Sequence, residues 1–525
     1  MASRLLSGAD MKARMNDRKP RRGLVALIGS LVALSSMGAL VGCSNDGDPR
    51  QTGSLAADPE CSVADGDTAT TCSRPGASHP GTDHGGDGSY ATLDGGDAAA
   101  AVFGDADAGP IVLAGMKDDG KSHPPPSSGP FAYNSFVPAP TAGASYADPV
   151  FGGDVRRLTT DHDSDDIYAR NMWWSADETR YLHRAKNGTP WADFWNVIDV
   201  ATGAETHSGI GIGTLAGDGG FDPVDPNVLY VFRGSTIHKV TLGQGGKWTE
   251  TPYFTAPGGA TLESLGGTLN WLDASGRYMV VRYGPEPSVH VYDRQNLAAG
   301  PYANAVDGGS TIGAGHYVSI SPDGKYLVGY QAGGLGMGQG VSWKLDHANR
   351  QVAANKNVFW TLCGDHGAFI STSDGRDYMV VFACNNTPGV WRVDITNNAA
   401  GLNEAQQLAL PNNKLLVPVG WKDGGHFSTT ARGPLRDWAF YASEDGSDGF
   451  NGATSPWHVY RQEIIAINVV TGEIRRLAHH RSRSLGSRYE YMPRLSASWG
   501  GKYVGWASNF NQNGVIDVFA VRFRQ

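Results

Sequence analysis

The sequence has almost no helical periodicity. Its apolar residues fall instead in short runs rich in β-branched and aromatic side chains, which points away from helical bundles and towards strands. Charge is sparse as well: 18% of the 525 residues are charged, and 52 acids against 43 bases leave a net charge of −9. No basic excess is present, so nucleic acid is excluded as a partner. Cysteine is scarce, with five in the chain. Long apolar runs are also missing, apart from one near the N-terminus.

What is present is a repeat. Its clearest copy is His316–Tyr330, HYVSISPDGKYLVGY. This reads as a strand, a tight Asp-Gly turn and a second strand. Variants begin near Asn171, Gly220, Leu269, His366, His426 and Pro493, at a spacing of roughly 45–65 residues, the range of four-stranded propeller blades. A third strand follows most hairpins and ends in an acid or amide: Asp199, Asp293, Asp346, Asp394 and Asn468. The expected fold is all-β, a seven-bladed propeller. Its last repeat runs out one strand short. Val155-Arg-Arg-Leu158 resembles Ile474-Arg-Arg-Leu477, the fourth strand of the sixth repeat. Val155–Thr159 is therefore expected to complete the seventh blade and remove two open sheet edges.

The ends differ from the repeats. Residues 1–42 read as a lipoprotein signal peptide, starting at Met1 or Met11: a basic stretch, an apolar run over 23–42, then Leu40-Val-Gly-Cys43. The alternative is an uncleaved anchor, since about 20 apolar residues span a bilayer. Lipidation at Cys43, followed by Ser44, implies a lipid anchor on the bacterial outer membrane or cell surface. Residues 43–145 are rich in Gly, Asp, Ala, Ser and Pro and strongly acidic. They read as a disordered tether with a mean reach of roughly 50–60 Å. The propeller is expected over 146–525, as a monomer.

The remaining cysteines suit an oxidising compartment. Antiparallel pairing about Asp374-Gly375 puts Cys363 opposite Cys384, within reach of a disulfide. Cys61 and Cys72 are a second candidate pair.

Propeller geometry brings the loops that lead into the innermost strands, and those between second and third strands, onto one face. We call it the funnel face. The residues expected to converge there are Tyr168, Arg170, Asn171, Asp218, Asn270, His316, Asp365, His366, His426, Tyr489, Tyr491 and Arg494. Three consecutive blades supply a histidine at one position, and neutral imidazoles suit metal ligation or proton transfer. The other reading is structural, since WD-repeat propellers carry a comparable Gly-His as a hydrogen-bond anchor. A second feature is basic: six arginines and two histidines lie between Arg475 and Arg494, against the single acid Glu490. With Arg156 and Arg157 this reads as a positive patch for carboxylate or sulfate, or as a solvated loop. Asp161–Asp166 and Asn509–Asp517 have oxygen ligands at calcium-loop spacing.

The SPDGKYL-type hairpins and Asp-x-x-Thr-Gly turns resemble TolB-type propellers over the whole of 150–525. Asp365-His366, Gly425-His426 and the stretch 489–494 further resemble oligogalacturonate-lyase-like propellers. That resemblance implies an acidic polysaccharide as substrate, His366 as catalytic and His426 as ligand of a manganese ion. Funnel position adds His316 as a second candidate ligand of a divalent metal, manganese or calcium, Tyr491 and Arg494 as catalytic candidates, and Arg170, His316, Arg488 and Tyr489 as substrate-binding ones. The family's Gln-x-x-His-Pro-His motif reads Tyr489-Glu-Tyr-Met-Pro-Arg494 here, with the ligand residues replaced. The competing class is a non-catalytic scaffold or receptor for a protein partner at the cell surface.

Overall fold

The computed structural model describes residues 111–525 except 163, 166–167, 186–193, 214, 216–217, 266–269, 285–287, 308–315, 332–338, 363, 384–385, 421–422, 444–456, 483–491 and 511–514. It also gives the backbone of two short strands, Cys61–Val63 and Thr70–Cys72. Among the described residues, seven antiparallel sheets form the blades of a propeller. Blades one to six span 164–211, 220–255, 262–307, 316–360, 364–417 and 425–479. Blade seven joins Ser496–Ala497, Tyr503–Ser508 and Asp517–Arg522 to the strand Asp154–Arg157. The expected closure is found, with Val155 opposite Val521 and Arg157 opposite Phe519.

The repeat explains the local structure. Third strands end at Asp199, Asp293, Asp346, Asp394 and Asn468. Each of these side chains then accepts a backbone N–H from the following turn, at 2.8–3.1 Å. Asp177, Asp323 and Asp374 do the same in the first hairpin turn of their blades. Second strands such as Asp377–Ala383 and Trp438–Ser443 are buried at every position, because each sheet is covered on both faces by its neighbours.

The tether expected to reach residue 145 does not do so. Residues 111–147 form an ordered strap along blades six and seven. Met116–Lys117 adds a strand to the outer edge of blade six, and Ser145–Ala147 adds one to blade seven. Phe131, Phe136 and Tyr146 pack together, with Phe136 also against Phe510. The strap then passes the Ala-Thr-Gly turn of blade one. A Cβ at Gly143 would lie 2.0 Å from the Thr202 carbonyl oxygen, so only glycine fits. Averaged composition concealed this segment, whose aromatic residues are few: Phe131, Tyr133 and Phe136 lie close together, and Tyr146 follows. Thr70–Cys72 pairs with the outer strand of blade two, Trp248–Thr255, and Cys61 stands opposite Cys72 in the backbone register. Among the described residues no helix is long and apolar enough to cross a membrane. The stretch expected to be a signal peptide, residues 1–42, and Cys43 lie outside the described residues.

Candidate functional site

The innermost strands are stitched together across the axis by polar side chains. Asn171 of blade one donates through Nδ2 to Thr429 O of blade six (2.6 Å) and Ala497 O of blade seven (2.9 Å). Its Oδ1 accepts Asn270 Nδ2 of blade three at 3.0 Å. Ser319 links blade four to blade three, and Thr429 links six to five. The cavity left beside Arg170, Asn270 and Ser428 is about 20 Å³. That is room for roughly one water molecule and far too little for a sugar. The funnel face is where these inner strands begin.

On that face, three adjacent blades bring chemistry-bearing groups together. His426 is the second residue of the inner strand of blade six, Gly425–Thr429, and is fully buried. Its Nε2 lies 3.2 Å from the phenol oxygen of Tyr168, at the start of blade one, with the rings edge-on at 5.1 Å. Two residues along, the Arg170 guanidinium is buried against the Trp173 ring. Burial lowers its pKa to about 10, the charge of Asp218 opposing the shift, and it stays cationic at neutral pH. The hydroxyl of Ser496 donates to the Arg170 carbonyl, which ties blade seven to this point. Arg494 precedes Ser496 by two residues and is itself buried.

Other expected residues are placed only by their backbone. His316 is the first residue of the inner strand of blade four. His366 falls at a register shift between Asp365 and Gly367 in blade five, a bulge of the kind that re-aims a side chain. Arg488, Tyr489 and Tyr491 lie outside the described residues. So do Cys363 and Cys384, although Gly364 pairs with Ala383 just inside them. Among the described residues no disulfide is seen, and no three His, Cys, Asp or Glu side chains gather as a metal site. Of the expected metal ligands only the His426 side chain is among the described ones; its Nε2 faces the Tyr168 phenol, and Arg494 stands where the resemblance would have a histidine.

The basic stretch is not an open patch where it is described. Arg476 is fully buried and forks onto Glu463, with Nε–Oε2 2.6 Å and Nη2–Oε1 2.5 Å. Asp118 and Asp119 of the strap approach its other side, each at 3.7 Å. His479 is buried beside Asp148 and bonded to His123 O. His480 donates from Nε2 to Ser443 O and accepts Ser482 N–H at Nδ1. Its burial drops the pKa to about 3, so it is neutral and structural. Arg157 pairs with Asp517 at 2.6 Å, and Arg156 bonds carbonyls of blade one. Asp517 also accepts from Thr159 and bonds His162, so the carboxylate closing the 509–517 loop is occupied by protein partners. In the other calcium-like loop, Asp161 accepts the Ser164 hydroxyl.

One pair went unread in the sequence. Asp423, in the loop leading into blade six, is almost fully buried and accepts His458 Nε2 at 2.6 Å. His458 lies between the second and third strands of the same blade and is about a third exposed. The two residues are 35 apart in loops that no repeat pattern marks.

No protein-family model and no curated protein matches the sequence. Solved structures with a similar chain trace include an oligogalacturonate lyase from Vibrio parahaemolyticus. It is 12% identical with a TM-score of 0.46, over 72% of this chain and 96% of that one. A PQQ-bound aldose sugar dehydrogenase from Streptomyces coelicolor is 12% identical with a TM-score of 0.31, over 72% and 100%. Sqt1 from Chaetomium thermophilum is 13% identical with a TM-score of 0.33, over 72% and 81%.

Proposed function

We propose that the protein is a lipid-anchored propeller on the bacterial outer membrane or cell surface that binds an acidic polysaccharide on its funnel face and cleaves it by β-elimination. The observation that carries this reading is the contact between Tyr168 and His426, with Arg170 and Arg494 on the flanking inner-strand segments. In the elimination, Tyr168 passes its proton to His426 and its oxygen takes the proton α to the uronate carboxylate. That C–H electron pair becomes the new C=C bond, and the C–O bond to the next sugar breaks. Guanidinium charge on Arg494 and Arg170 offsets the negative charge that gathers on the carboxylate in the transition state.

The test uses residues 44–525 as a soluble protein, incubated with uronate polymers and followed by the ultraviolet absorbance of the unsaturated product. The reading expects a rise with the wild type and none with Tyr168→Phe. A scaffold or receptor propeller would give no product with either.

A further inference from the structure

We propose that His458, positioned by Asp423, is a second proton-transfer group of this site, delivering the proton to the departing sugar oxygen. The inference rests on the elimination proposed above and adds a residue to it.

Three observations carry it. First, Asp423 is held, not loose. Its Oδ1 accepts both His458 Nε2 (2.6 Å) and the Ser443 hydroxyl (3.3 Å), and Ser443 O in turn accepts His480 Nε2 at 2.8 Å. A carboxylate 4% exposed is costly to keep unless its partner is fixed. Second, the pairing sets the tautomer. An ionised carboxylate only accepts, so Nε2 carries the proton that faces Asp423. The free ring nitrogen, Nδ1, is then the one that exchanges a proton with a ligand, the same division of labour as in an Asp–His pair of a hydrolase. The imidazole is about a third exposed, so a ligand can reach it. Third, the pair lies on the funnel face. Asp423 precedes His426 by three residues, at most about 10 Å of extended chain, and His426 contacts Tyr168.

The step balances without a further reagent. Tyr168 removes the α proton, and the electron pair of the breaking C–O bond moves onto the glycosidic oxygen. Nδ1 of His458 takes a proton from solvent before the step, gives it to that oxygen and returns the ring to the neutral Nε2–H tautomer, with Nε2–H still on Asp423. The proton left on His426 passes to solvent, which resets the Tyr168–His426 pair.

The experiment compares wild type, His458→Gln and Asp423→Asn of residues 44–525. Polyuronate cleavage is followed together with the ring nitrogen shifts of His458 by NMR. Cleavage should fall about 100-fold or more in kcat for His458→Gln, with KM changed less than about twofold. Asp423→Asn should fall less, and its His458 should lose the single Nε2–H tautomer seen in the wild type. A wild type that cleaves while His458→Gln cleaves equally fast overturns the role of His458 alone. A His458 whose tautomers are mixed in the wild type overturns its positioning by Asp423. A wild type that cleaves no uronate polymer overturns the elimination itself, and the role of His458 with it.

Discussion

His426 Nε2 stands 3.2 Å from the phenol oxygen of Tyr168, so the inner strands of blades six and one meet through two groups able to share a proton. Tyr168→Phe removes only the hydroxyl. It should lower kcat on a uronate polymer by roughly 10²–10⁴-fold while leaving the melting temperature close to wild type. His426→Ala removes a fully buried ring and should lose both activity and stability, the latter by ~2 kcal/mol or more. Thermal melts run beside the kinetics separate the two effects.

The Arg476–Glu463 fork is the electrostatic centre of the contact between strap and blade six. Burial pushes the Glu463 carboxyl up, and the hydrogen bonds from Arg476 oppose that push in part. Arg476→Met leaves a buried carboxylate without its partner and should cost ~3–5 kcal/mol in denaturant unfolding. Removing the strap should act in the same direction. A chain starting at residue 149 loses Asp118, Asp119 and both added edge strands, and should melt well below one starting at 111.

His480 gives the fold an acid limit. Its pKa falls from the ordinary 6.5 to about 3 on folding, chiefly through burial. Between these values the unfolded chain binds the extra proton. The stability this group contributes is therefore complete above about pH 6.5 and is lost as pH falls towards 3. His480→Gln should be less stable at neutral pH, and its denaturant midpoint should slope less steeply over this acid window.

Asp377 works in the opposite sense. Burial first, then the charge of Asp323, raises its pKa to about 7. A carboxyl raised on folding favours the native state below its unfolded pKa, and this favour is lost as pH rises through about 7. Asp377→Asn can keep a hydrogen bond to the Ser371 hydroxyl, which now donates to the carboxylate, and carries no charge. The variant should be more stable than wild type at pH 8 by on the order of a few kcal/mol, with little difference at pH 4. Equal midpoints at both pH values would contradict the assignment.

Much of the fold was legible because it repeats. Tight hairpin turns and strand-ending acids or amides carry local physics that acts the same way in most blades, and Val155-Arg-Arg-Leu158 could be matched to Ile474-Arg-Arg-Leu477. The contacts that escaped reading are long-range and unrepeated. Arg476 looked like surface charge because its partners, Glu463 on the adjacent strand and Asp118 and Asp119 in the strap, belong to no shared motif. The strap itself was hidden by its Gly, Asp and Pro content. Its docking depends on three aromatic residues, Phe131, Phe136 and Tyr146, and on backbone pairing that composition does not encode. Tyr168 and Arg170 were legible as funnel residues, because their position in the repeat dictates it. Asp423 with His458 was not, because the pair forms between two loops.

Cleavage of a uronate polymer in heavy-oxygen water, with products weighed by mass spectrometry, tests the central claim most directly. Elimination takes no oxygen from water. The account predicts unsaturated, unlabelled uronate ends from the wild type and none from Tyr168→Phe. Saturated ends carrying the heavy oxygen, or an intact polymer after prolonged incubation, would contradict it.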